Sequence, residues 1–115
     1  MHILYTLDMG SVLKSVLEEE LERNIHKQAV FSNELSKYPK GSLVVSNIHG
    51  DSYLYRRYRE GNKIKSEYIG PIGSDEAKEA YESRAKYIKI KKDLRDLMNE
   101  EKKLRKFLKI YNKGE

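Results

Sequence analysis

Apolar positions along the chain fall into three patterns. Leu17, Leu21, Asn24, Gln28, Phe31, Leu35 and Tyr38 recur at alternating steps of four and three, the period of one helical face. Glu18, Glu19, Glu20, Glu22, Arg23 and Lys27 fall mostly around the opposite, wet side. The spacing predicts a leading helix from about Ser11, with Asn24 and Gln28 as polar interruptions of its seam. It stops at Tyr38, because Pro39-Lys40-Gly41 follows and a residue before proline is pushed out of helical geometry. Ahead of it, Ile3-Leu4-Tyr5-Thr6-Leu7 is short and rich in strand formers, and reads as an extra strand.

The middle of the chain changes rhythm. Turn-forming residues recur at Pro39/Gly41, His49-Gly50-Asp51, Glu60-Gly61-Asn62 and Gly70-Pro71. The runs between them, Leu43–Ile48, Ser52–Arg59 and Lys63–Ile69, predict a meander of three antiparallel strands. Gly73-Ser74-Asp75-Glu76 then reads as a helix start, with Ser74 as the cap and two carboxylates in the first turn. Ala80, Tyr87, Leu94, Glu101 and Leu108 follow every seven residues, as do Ser83, Ile90, Leu97, Leu104 and Tyr111. This heptad seam, weakest at Ser83 and Glu101, predicts one helix about 55 Å long at 1.5 Å per residue. A helix of that length outruns a three-stranded sheet, so it must pair with the leading helix, a second copy, or a partner. The seam residues Tyr87, Ile90, Leu94, Leu97, Leu104 and Leu108 are the candidates for oligomerisation. The fold class expected is α+β in a single domain over 1–115: leading helix over 1–38, sheet over 41–70, and a long carboxyl-terminal helix over 74–111 forming a helical hairpin or coiled coil.

The stretch YLYRRYREGNKIKSEYIG over 53–70 interleaves five basic side chains with four tyrosines. A three-residue loop Glu60-Gly61-Asn62 would segregate them by parity. It places Tyr58 opposite Ile64, Arg56 opposite Ser66 and Leu54 opposite Tyr68, leaving Tyr53, Tyr55, Arg57, Arg59, Lys63, Lys65 and Glu67 on the other face. A two-residue loop would put Arg59 opposite Ile64 and mix the sets, so segregation favours the longer loop. The expectation is therefore a sheet with an apolar side against a helix and a basic, aromatic side in water.

Composition narrows the partners. Charged residues make up 36% of the 115 residues and apolar ones 38%, the polar edge of globular composition. Cysteine is absent, which removes disulfides and thiolate metal sites and suits a reducing compartment. No apolar run approaches the roughly 20 residues that cross a bilayer, and MHILYTLDMG lacks the basic start of a signal peptide; a cytoplasmic protein without membrane partners is expected. The formal charge of +5 is uneven: −2 over 1–38, +3 over 39–70 and +4 over 71–115. The basic excess of the middle and the tail fits a polyanion. In the tail, Lys102, Lys103, Arg105, Lys106, Lys109 and Lys113 equally describe a solvated helix face.

Chemistry finds little to work with. His2, His26 and His49 are scattered, with no second ligand at metal-binding spacing. Pro39-Lys40-Gly41-Ser42 lacks the leading glycine and following helix of a phosphate loop. No catalytic residue, cofactor or metal is expected, and the protein is read as a non-enzyme.

Two resemblances add to this. The three-stranded sheet with a basic face, the turn Glu60-Gly61-Asn62-Lys63 and the capped helix start Ser74-Asp75-Glu76-Ala77 resemble the arm-binding amino-terminal domains of tyrosine recombinases, over about residues 41–90. That resemblance implies a sheet that enters the DNA major groove. The chain departs from it by a long helix before the sheet and no catalytic domain behind, so it implies no recombination. Pro39-Lys40-Gly41-Ser42-Leu43, Tyr58-Arg59-Glu60-Gly61 and Tyr68-Ile69-Gly70 also resemble a set of short, uncharacterised bacterial and phage proteins, which implies no activity.

The reading is a nucleic-acid-binding module, DNA before RNA, that uses Tyr53, Tyr55, Arg57, Arg59, Lys63 and Lys65, mainly through phosphates. It rests on those cations sharing one face: Arg57 and Lys65 pointing opposite ways would remove its foundation. The rival is a protein-interaction adaptor or homo-oligomer acting through the heptad seam.

Overall fold

The computed structural model describes residues 2–113, with side-chain environments over 10–112. The element order is α1 (His2–Leu35), β1 (Ser42–Ile48), β2 (Asp51–Glu60), β3 (Lys63–Pro71) and α2 (Asp75–Lys113), with the strands in one antiparallel sheet ordered β1-β2-β3. This is the α+β layout that the periodicities predict. The extra strand at Ile3–Leu7 is not formed; those residues lie in the first turns of α1. Adding turns to an existing helix contributes one hydrogen bond per residue fixed.

The chain divides into two compact units. One holds residues 2–33 of α1 and 91–113 of α2 as a pair of helical arms. The seam predicted on α1 is turned inward throughout: Leu17, Leu21, Gln28, Phe31 and Leu35 are half-buried and Asn24 is buried. On α2, Leu94, Leu97, Glu101 and Leu104 are half-buried and Leu108 is buried. The polar interruptions of the two seams meet one another. Asn24 Nδ2 donates to the Leu97 carbonyl at 2.9 Å, and Gln28 Nε2 donates to Asn24 Oδ1 at 2.6 Å and to Glu101 Oε1 at 2.7 Å. Arg105 Nε closes the cluster on Glu101 Oε2 at 2.6 Å. Asn24, at 3% exposure, would be costly to bury without these partners. From Leu94 to Leu108 the seam assigned to oligomerisation is turned inward, and at Leu97 and Glu101 it bonds to α1 of the same chain.

The other unit spans 34–90 and carries the sheet and the first half of α2. Its centre is Leu54, fully buried, and Ala77 of α2 is buried as well. Ser74 caps α2 as expected: its Oγ accepts from the Ala77 amide at 3.2 Å and donates to the Pro71 carbonyl at 2.6 Å. Two arginines hold the loop that leads into the sheet, Arg56 Nη1 donating to the Lys40 carbonyl and Arg84 Nη1 to the Gly41 carbonyl, each at 2.5 Å.

The β2–β3 connection departs from the expectation. Glu60 pairs with Lys63, Arg59 with Ile64 and Tyr58 with Lys65, so the loop is the two residues Gly61-Asn62. Gly61 has φ of 61°, and a glycine at the first central position is what the tight hairpin turn of matching twist requires. Turn chemistry outweighed side-chain segregation. A bulge then shifts the register between Leu54 and Tyr55, so that Tyr55 pairs with Tyr68 but Leu54 with Gly70. Leu54 therefore keeps a flat, close neighbour on the helix side, where a Cβ on Gly70 would come within 2.9 Å of Ser74 Oγ.

Candidate nucleic-acid interface

The register decides which side chains share a face, because neighbours along a strand alternate sides. Leu43 and Val45 of β1, Leu54, Arg56 and Tyr58 of β2, and Lys63, Lys65 and Glu67 of β3 lie on one side. In this unit that side looks toward α2 across a hollow of about 510 Å³, lined by Leu43, Arg56, Glu67, Ile69, Ala80 and Arg84 among others. Two cations on this inner side are paired. Arg56 pairs with Glu67 and its guanidinium lies 4.2 Å from the centre of the Tyr58 ring. Lys65 Nζ is 2.9 Å from Glu60 Oε2.

The outer side carries Val44 and Ser46 from β1, Tyr53, Tyr55, Arg57 and Arg59 from β2, and Ile64, Ser66 and Tyr68 from β3. Tyr68 lies between the other two tyrosines, its ring centre 5.4 Å from that of Tyr55 at 66° and 6.1 Å from that of Tyr53 at 50°. Tilted and edge-on contacts of this kind are the favoured aromatic geometry. Tyr68 is 53% exposed and Ile64 65%. Arg57 and Arg59 are exposed, and neither has an ion pair among the described residues. The outward-facing rows from Tyr53 to Arg59 hold no carboxylate.

Of the six residues picked from the sequence, Tyr53, Tyr55, Arg57 and Arg59 come together, and Lys63 and Lys65 do not. Ile64 and Tyr68, expected beneath the sheet, take their places outside. Arg57 and Lys65 point opposite ways, so the four-cation ribbon does not exist, and the nucleic-acid reading loses the foundation it had in the sequence. Tyr68 falls outside the sequence candidates because side-chain segregation favours the longer loop over the Gly-Asn pair, itself a signal of a two-residue hairpin.

Fold and face together define a small α+β module whose antiparallel sheet leaves an aromatic, arginine-bearing side uncovered. The chain belongs to the family described as a domain of unknown function (DUF6788), whose model matches residues 14–79. The match takes in most of α1, the whole sheet and the start of α2, so the uncovered face falls within the family's own region. No curated protein and no solved structure matches the chain. No helix among the described residues is long and apolar enough to cross a membrane.

Proposed function

We propose that the protein binds nucleic acid, DNA before RNA, through the outer side of its sheet, on a ground other than the four-cation face, which the register divides. One observation carries the reading: on that side three tyrosines adjoin two arginines that have no carboxylate partner among the described residues, while Arg56 and Lys65 on the inner side are paired. The arrangement differs from the sequence expectation in its chemistry. Two arginines supply local charge and bidentate donors, and the tyrosines supply most of the contact area.

The test is a fluorescence titration of labelled oligonucleotides over a range of salt. Binding at low ionic strength is expected, with affinity falling as salt rises, and Arg57→Glu is expected to weaken it at least tenfold. Absence of binding at low ionic strength, or an unaltered affinity for Arg57→Glu, removes the proposal.

An adaptor role through the helices has separate support. Phe107 and Ile110 of α2 are exposed although the seam is turned inward. Under that reading, Phe107→Ser with Ile110→Ser abolishes partner capture and leaves oligonucleotide binding, if present, untouched.

A further inference from the structure

We infer that the outer face selects unpaired over paired nucleic acid, an inference that rests on the nucleic-acid reading above. The count of cations comes first. Proteins held to duplex by phosphates neutralise about 6–10 of them; this face offers two arginines. Such a deficit leaves a duplex poorly anchored, because a duplex keeps its base faces stacked and presents only phosphates and groove edges. An unpaired strand exposes those faces, and tyrosine rings receive them without regard to sequence.

Geometry agrees with the count. Tyr53, Tyr55, Arg57 and Arg59 are successive outward positions of one strand, about 6.6 Å apart at 3.3 Å per residue. They form a track about 20 Å long with aromatic groups at one end and cations at the other. Tyr68 widens the aromatic end from the neighbouring strand and is the most exposed tyrosine of the face to which an energetic role can be tested by truncation. The inner side fits less well: Arg56 and Lys65 are paired there and it looks toward α2.

The experiment uses the full chain and three fluorescent probes of about 16 nucleotides, the upper range for small single-strand modules: single-stranded DNA, RNA of the same sequence, and the blunt DNA duplex. Single strands are expected to bind at least tenfold more tightly than duplex. Their salt slope should lie near −1.4, from about 0.7 per phosphate and two phosphates. Tyr68→Ala should lower single-strand affinity at least tenfold while Tyr68→Phe keeps it, with an unchanged circular dichroism spectrum for both. Duplex binding equal to or tighter than single-strand binding overturns the inference and leaves the nucleic-acid reading standing. A steep slope near that of 6–10 phosphates, or equal loss for the Ala and Phe variants, also overturns it. Failure of all three probes to bind at low salt overturns both.

Discussion

Gly41 sits where two requirements coincide. Its φ is +106°, a region that residues with a side chain rarely adopt. A Cβ there would also stand 2.2 Å from the Arg57 carbonyl oxygen and 2.9 Å from the Tyr58 Cβ. Gly50 makes the natural comparison, since its φ is +85° but a Cβ would meet nothing within 4 Å. Gly50→Ala should therefore cost only the conformational strain, about 1–2 kcal/mol. Gly41→Ala should exceed it by roughly 1–3 kcal/mol, the usual cost of overpacking, because Arg56 and Arg84 hold the same loop in place. Urea denaturation of the two variants measures both values, and equal losses would show that the loop relaxes away from β2. Pro39-Lys40-Gly41 was legible as punctuation; that its glycine presses on the second strand was not, since close approach depends on pairings far along the chain.

At the scale of elements, the polar cluster between α1 and α2 makes a prediction about pH. The Arg105 guanidinium, and then the Gln28 amide, hold the Glu101 carboxyl below its ordinary value of 4.5. A carboxyl with a depressed pKa in the folded state contributes stability above the unfolded value, and that contribution is lost as pH falls through the folded one. Wild type should thus exceed Glu101→Gln in stability at neutral pH, and the margin should shrink below about pH 4.5. Salt should narrow it too, because Arg105 is half exposed and such pairs are screened. A margin independent of pH would remove Glu101's charge from the account. The seams themselves were legible residue by residue, because a period of three and four needs only local sequence. Asn24, Gln28 and Glu101 read as flaws in separate seams; their mutual satisfaction needed both helices side by side. The loop at Gly61-Asn62 shows the opposite limit. Tyr53, Tyr55, Arg57 and Arg59 share a face by strand alternation alone, so sequence placed them correctly. Which residues of β3 join them depends on loop length, where one residue exchanges Lys63 and Lys65 for Ile64 and Tyr68.

For the molecule as a whole, the net charge of +5 offers an explanation of nucleic-acid binding that needs no site at all. A basic protein attracts a polyanion over distances set by screening, whatever its surface detail. Two double variants of equal net charge separate the alternatives. Arg57→Glu with Arg59→Glu alters the outer face of the sheet, and Lys102→Glu with Lys106→Glu alters an exposed stretch of α2 in the helical unit. Each pair lowers the formal charge from +5 to +1, so long-range attraction falls alike in both. If the face is the site, the arginine pair should reduce single-strand affinity at least a hundredfold, about 2.7 kcal/mol. The lysine pair should cost less than threefold at physiological salt, where the Debye length is about 8 Å and charges that touch no phosphate count for little. Comparable losses in the two variants would assign binding to net charge. A larger loss for the lysines would move the interface to α2, whose basic run then would be more than a solvated helix face.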